Sequence, residues 1–182
     1  ERFGISSVVF LATNHIGTGV PFWWDQVAEA LRQHGPGAAT LPLLGAHEWA
    51  DPHRVAIKWI AAAKRVPGSA KDVAVDELVD LLAGGDRVDA TPHHLDWDTV
   101  REMQDRGVAF GAHTCNHPVL ARVSASEARQ EIVDSVTRVA EETARQPLGF
   151  AYPNGLPGDF GPVSVAAVAA AGVPLGFTLS PG

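Results

Sequence analysis

Two histidines spaced four residues apart are the most chemically informative feature of the sequence. They lie in Gly111-Ala112-His113-Thr114-Cys115-Asn116-His117-Pro118, directly after a short apolar run that is typical of a buried strand. Two imidazoles at positions i and i+4 converge on one metal ion when the loop bends into a helical turn. The alternative is that both are ordinary loop histidines that form hydrogen bonds with the backbone, because pairs at this spacing are common.

A zinc site needs a third ligand and an open position for water, and the other histidines offer no clear one. His15 follows the first predicted strand, where a loop role is the simpler interpretation, and His93 and His94 precede a predicted helix. The thiolate of Cys115 would be a good ligand, but its position between the two histidines turns it away. We therefore expect Cys115 to be a buried thiol.

A second strand end carries the segment Gly149-Phe150-Ala151-Tyr152-Pro153-Asn154-Gly155. Its Pro-Asn-Gly composition predicts a tight turn, and such a turn needs no further role. The functional interpretation is that the turn directs a backbone N–H towards a reacting group, where it would stabilise an oxyanion. Both segments follow predicted strands, and α/β barrels have their active sites at the C-terminal ends of the strands.

The composition excludes several classes of function. The chain has 182 residues, of which 46% are hydrophobic and 19% charged, which is enough for a domain with a core. Its 14 basic and 21 acidic residues give a net charge of −7, so we expect neither nucleic acid nor an anionic membrane surface as a partner. One cysteine excludes an internal disulfide, and no apolar run approaches the roughly 20 residues of a membrane span.

The elements that position these segments alternate between strands and helices, which predicts an α/β fold with a mostly parallel sheet. We predict strands at residues 5–12, 108–112, 149–152 and 175–178. We predict helices at residues 22–34, 51–64, 73–82, 96–106, 124–145 and 163–171, the fifth opening with a Ser-Ala-Ser-Glu capping box. Residues 41–52 are interpreted as a loop, and residues 1–182 as a single domain.

The His-Thr-x-x-His-Pro segment that starts at His113 and the Ala-Tyr-Pro-Asn-Gly segment that starts at Ala151 resemble motifs of the polysaccharide deacetylase family. This is the NodB-homology domain of the family 4 carbohydrate esterases. The connecting sequence resembles one bacterial branch of the family, in Phe22-Trp23-Trp24-Asp25, in Trp97 with Arg101-Glu102-Met103, and in Ala170-Ala171-Gly172. The resemblance implies a distorted (β/α) barrel.

The resemblance also implies a hydrolase that acts on carbon–nitrogen bonds other than peptide bonds. Its reaction would be removal of N- or O-linked acetyl groups from a glycan, as part of carbohydrate metabolism. In such enzymes an Asp and two His hold a divalent ion, usually zinc, and here the two His would be His113 and His117. The Thr114 hydroxyl would brace the loop, and the backbone N–H of Asn154 would help to stabilise the oxyanion.

Aromatic and turn residues are the candidates for contact with a sugar. The resemblance implies that Tyr152 and Pro153 line the substrate site. Trp23, Trp24 and Trp97 are further candidates for stacking on sugar rings, although we favour core packing for each of them.

Two motifs of the family do not occur in the sequence. The Thr-Phe-Asp-Asp motif, with the catalytic base and the Asp ligand, belongs before Glu1, and the Leu-x-His motif, with the general acid, belongs after Gly182. We therefore expect a barrel that is incomplete at both ends. In addition, Ala151 stands where the family has Arg, and Asn154 where it has an aromatic Tyr.

Two alternatives to the deacetylase remain open. The first is a catalytically inactive remnant of the fold that binds a glycan or a partner protein. The second is a metal-dependent amidohydrolase that acts on a small non-sugar amide.

Overall fold

The computed structural model describes residues 6–84 and 95–180, which form two compact units. Residues 20–84 make up one unit, and residues 6–19 together with 95–180 make up the other. Each unit has a buried apolar cluster of its own. The interpretation of residues 1–182 as one domain stays a prediction.

The elements alternate along the chain much as the sequence predicts. The strands are β1 (Val8–Leu11), β2 (Gly37–Leu41), β3 (Gly45–Trp49), β4 (Ala109–Ala112), β5 (Phe150–Ala151) and β6 (Gly176–Phe177). The helices are α1 (Trp23–His34), α2 (Pro52–Ala63), α3 (Gly68–Ala83), α4 (Trp97–Asp105), α5 (Ala125–Thr143) and α6 (Pro162–Ala170). Two 3₁₀ turns lie at Thr13–His15 and Leu120–Arg122.

The unit that carries both chemical motifs contains a parallel sheet with the strand order β1-β4-β5-β6. This confirms the α/β class, and within the described residues the four strands form an open sheet with no closed barrel. Close packing of the strands excludes a side chain at Gly111, where a Cβ would lie 2.6 Å from the carbonyl oxygen of Gly149. The parallel direction brings the carboxyl ends of the strands to one edge of the sheet.

Helix α5 covers this sheet with a stripe of apolar side chains at helical spacing. Ala128, Ile132, Val136 and Val139 are all buried, and they belong to the same cluster as Phe150 of β5. The helix begins as the capping box predicts, since the Ser124 hydroxyl accepts a hydrogen bond from the N–H of Glu127 at 3.2 Å. The position of α5 over the sheet is therefore set by burial of one face.

The second unit contains a β-hairpin that the sequence interpretation missed. Residues 41–52 are not a loop, because β3 pairs antiparallel with β2 in the register Leu41 to Gly45. Two indole groups, one from β3 itself and one from α2, connect the hairpin to neighbouring residues of its unit. Trp49 donates to the carbonyl of Gly35 at 2.8 Å, and Trp59 donates to the carbonyl of Pro42 at 2.6 Å. These contacts, rather than strand propensity, stabilise a Gly- and Ala-rich hairpin.

Helix α3 also begins earlier than predicted, at Gly68 instead of Val73. Its first turn directly follows Pro67, and it ends at Gly84 in the left-handed conformation, with a φ of 62°. Within the described residues, none of the helices combines the length and apolar character that crossing a membrane requires.

Adjacent residues on α5 provide a test of this packing. Ile132 is 0% exposed, whereas Val133 is 43% exposed. We expect Ile132→Ala to lower the free energy of unfolding by about 3 kcal/mol, because the substitution leaves a cavity in the core. Val133→Ala is the matched control, and we expect it to change that free energy by less than about 0.5 kcal/mol. Urea denaturation followed by circular dichroism measures both, and equal losses would contradict the assigned helix face.

Candidate active site

A hydrogen bond joins the two motifs at the carboxyl edge of the parallel sheet. Ala112 of β4 pairs with Phe150 of β5, so the residues that follow both strands lie side by side. The Nδ1 atom of His113 lies 2.7 Å from the carbonyl oxygen of Ala151. Because a carbonyl can only accept, Nδ1 must carry the proton, which leaves the lone pair of a neutral imidazole on Nε2.

The rings of His113 and His117 lie edge to face, with centroids 4.6 Å apart and an angle of 77° between their planes. Both residues are half-buried. Burial lowers the pKa of His113, although its hydrogen bond with the Ala151 carbonyl opposes that shift. A pKa below the ordinary value of about 6.5 keeps this imidazole neutral at pH 7, which is the form that binds a metal ion.

The loop between the two histidines has an unusual backbone. Thr114 and His117 both have positive φ angles, 68° and 57°, which residues other than glycine rarely adopt. The buried Thr114 hydroxyl donates to the carbonyl of His113 and accepts from the N–H of His117 at 2.9 Å. The hydroxyl therefore contacts the backbone at both ends of the loop, and its bracing role stays a prediction.

Cys115 is a buried thiol, as the sequence interpretation expects. Its Sγ donates to the backbone carbonyl of Glu131 at 3.7 Å, and burial raises the pKa of the thiol to about 11. The side chain therefore contacts helix α5 as a neutral thiol, and the thiolate form needed for metal binding is disfavoured.

Glu131 is a site residue that the sequence interpretation missed. It lies on the buried face of α5 and accepts hydrogen bonds from the loop that contains Cys115 and Asn116. The available signal was a carboxylate between Ala128 and Ile132 on the predicted buried face of the helix. Charged residues are seldom buried on such a face unless they have a partner.

The second motif forms the predicted tight turn after β5. Asn154 and Gly155 both have positive φ angles, 61° and 65°. Tyr152 and Pro153 are buried, and the Tyr152 ring stacks on Phe160 with centroids 4.2 Å apart. Direct contact of Tyr152 or Pro153 with a sugar stays a prediction.

Among the described residues, no other histidine joins His113 and His117 in a group that could hold a metal ion. His15 is buried in the first 3₁₀ turn. Among residues 6–84 and 95–180 the structure contains no cluster of three or more His, Cys, Asp or Glu side chains able to hold a metal ion. His93 and His94 lie outside the described residues. In the described part of the chain, no third such side chain joins His113 and His117.

The three tryptophans considered above for stacking on sugar rings each contact residues of their own unit. Trp23 is partly buried against the cluster of the 20–84 unit, with the Lys71 ammonium 5.3 Å from its ring centre. Trp24 stacks on Phe22 with centroids 4.3 Å apart. Trp97 is partly buried against the cluster under α5 and also lines a groove of about 790 Å³ beside that helix.

Comparison with known families identifies the family of this chain. Residues 1–175 match the family model described as polysaccharide deacetylase, and the chain belongs to that family. This confirms the predicted enzyme class, a hydrolase acting on carbon–nitrogen bonds other than peptide bonds. None of the curated proteins matches the chain.

Three solved structures are similar to this chain at low sequence identity. The deacetylase PplD of Streptococcus pyogenes, in complex with acetate, is 16% identical, with coverage of 97% of this chain and 84% of that one and a TM-score of 0.46. A de-N-acetylase from Aggregatibacter actinomycetemcomitans is 14% identical, with coverage of 95% and 85% and a TM-score of 0.43. The BpsB deacetylase domain from Bordetella bronchiseptica is 20% identical, with a TM-score of 0.43 and coverage of 50% of this chain and 45% of that one.

The burial of Cys115 predicts that it resists thiol reagents in the folded protein. At pH 8 a thiol with a pKa of about 11 has roughly a hundredfold less thiolate than one at the ordinary value of 9.0. We expect a chromogenic disulfide reagent to modify Cys115 at least a hundredfold more slowly in the folded protein in buffer than in the protein unfolded in 6 M guanidinium chloride. Stopped-flow absorbance measures both rates, and a fast reaction in buffer would show that the thiol is accessible.

Proposed function

We propose that this chain removes acetyl groups from a glycan by metal-dependent hydrolysis, with His113 and His117 as metal ligands. The observation that carries the proposal is the 2.7 Å hydrogen bond between Nδ1 of His113 and the Ala151 carbonyl. It connects the His motif to the Pro-Asn-Gly turn and fixes the imidazole in the tautomer that offers Nε2. Histidines that bind metal ions generally donate their other ring N–H to a carbonyl or carboxylate in this way.

The imidazole pair fits a divalent ion, most simply zinc, because neutral imidazole nitrogen is a preferred zinc ligand. When bound, such an ion lowers the pKa of a water molecule and polarises the acetyl carbonyl. The residues of this chain contribute the two ring nitrogens, the Thr114 hydroxyl that braces the loop, and burial that keeps His113 neutral.

The turn after β5 would supply the second half of the site. We assign to the backbone N–H of Asn154 the role of a hydrogen-bond donor to the oxyanion that forms when the acetyl carbonyl is attacked. The position of Asn154 supports this assignment, because the residue lies in the tight turn directly after β5, three residues from the Ala151 carbonyl that contacts His113. The substrate class, an acetylated glycan, follows from the family to which the chain belongs.

The metal ligands are tested by binding. We expect the chain to bind zinc or cobalt(II), and His113→Ala or His117→Ala to weaken that binding by at least a hundredfold, because each removes one of a few ligands. His53→Ala, at an exposed position in the other unit, is the matched control and should bind as the parent does. Isothermal titration calorimetry measures the affinities. Unchanged affinity in both site variants would overturn the ligand assignment.

The oxyanion donor is tested by activity on an acetylated chitooligosaccharide, with acetate release as the readout. We expect Asn154→Gly to retain the rate within about threefold, because glycine keeps the N–H and readily adopts positive φ. A loss of more than tenfold would show that the Asn154 side chain participates, contrary to the assignment. The assay is run on the 182-residue chain and on the complete open reading frame that encodes it.

The same assay separates the two alternatives. Absence of metal binding and of acetate release in every form would favour a protein that binds glycan or a partner without chemistry. Release from small amides but not from the acetylated oligosaccharide would identify an amidohydrolase with a non-sugar substrate.

A further inference from the structure

We infer that Glu131 is a positioning residue, a buried carboxylate on α5 that fixes the angle between the His113 and His117 rings. The inference rests on the proposed function, since it concerns the two ligands named there. It is independent of the identity of the metal and of the glycan.

The Glu131 carboxylate receives three hydrogen bonds from the loop. Its Oε2 accepts from the N–H of Cys115 at 2.8 Å and from the N–H of Asn116 at 2.9 Å. Its Oε1 accepts from the side-chain amide of Asn116 at 2.6 Å. Two successive N–H groups that converge on one oxygen form an anion-binding nest, and here the anion belongs to the protein itself.

Burial of the Glu131 carboxylate carries a free-energy cost that the hydrogen bonds from the loop must offset. Glu131 is only 9% exposed, and its neighbours on the same helix face, Ala128 and Ile132, are apolar. A carboxylate in such a place costs several kcal/mol unless hydrogen bonds compensate it. Within the described part of the chain no cationic side chain pairs with it, so the loop N–H groups provide that compensation.

Two accepting oxygens at position 131, and not only a side chain of the same shape, are needed for the direction of these bonds. The Asn116 amide oxygen accepts from the side chain of Asn14 at 2.9 Å, so its NH₂ group is left to donate to Glu131. A glutamine at position 131 that used its oxygen for the backbone N–H groups would present its own NH₂ to the Asn116 NH₂. Two donors would then face each other, and Asn116 would have to turn and lose its bond with Asn14.

The consequence for the histidines follows from their sequence positions. Cys115 and Asn116 occupy the middle of the loop, between Thr114 with its φ of 68° and His117 with its φ of 57°. The orientation of the peptide groups of these two residues determines the position and direction of the backbone at His117. Glu131 therefore acts through the backbone on the relative position of the two rings.

The test compares Glu131→Gln with Glu127→Gln, an exposed carboxylate one turn earlier on the same helix. We expect Glu131→Gln to raise the dissociation constant for cobalt(II) about tenfold or more, a typical effect of losing a residue that orients metal ligands. In the metal-free protein, the ring ¹⁵N resonances of His113 and His117 should shift while those of His53 do not. Glu127→Gln should leave both measurements unchanged.

A folded Glu131→Gln variant that binds cobalt(II) within twofold of the parent, with unshifted histidine resonances, would overturn the inference. Far-UV circular dichroism establishes folding. If Glu131→Gln does not fold, Glu131→Asp and Asn116→Ala are judged by the same criterion, because each removes only part of the hydrogen-bond set. If the parent chain binds no cobalt(II), the proposed function fails, and the metal-free resonances still decide the role of Glu131.

Discussion

The loop from His113 to His117 is held in a backbone conformation that its residues do not favour, and much of the unit is arranged to hold it. Left-handed φ angles at two residues other than glycine cost on the order of 1 kcal/mol or more each. Hydrogen bonds from β1, from the first 3₁₀ turn and from α5 offset that cost. The His113 N–H donates to Leu11 at 3.0 Å, the Thr114 carbonyl accepts from Thr13 at 3.1 Å, and the Glu131 carboxylate accepts from the loop.

The sequence was sufficient for the elements whose signals are local. The apolar runs of β1 and β4, the Ser124 cap of α5 and the Asp51-Pro52 start of α2 are visible in a few consecutive residues, and the structure has each of them within a few positions. The two motifs were likewise visible as short segments at strand ends. Their proximity followed from the parallel sheet, because parallel strands bring their carboxyl ends to one edge.

The sequence was not sufficient where distant residues determine the structure. The β2–β3 hairpin is built from residues of low strand propensity and is held by indole groups at Trp49 and Trp59. The role of Glu131 depends on contacts with residues 15 and 16 positions earlier in the chain. The burial of Tyr152 depends on stacking against Phe160, which no short pattern indicates.

The buried thiol between the two histidines has a consequence for the metal site proposed above. Thiolate is a soft ligand that attracts copper(I), whereas imidazole serves a broader range of divalent ions. Because burial raises the pKa of the Cys115 thiol to about 11 and its Sγ donates to a carbonyl of α5, the proposed site would present nitrogen and not sulfur to a metal ion. The same burial protects the thiol from oxidation, because susceptibility to oxidation follows exposure and thiolate character, and the contact of the loop with α5 is thereby preserved.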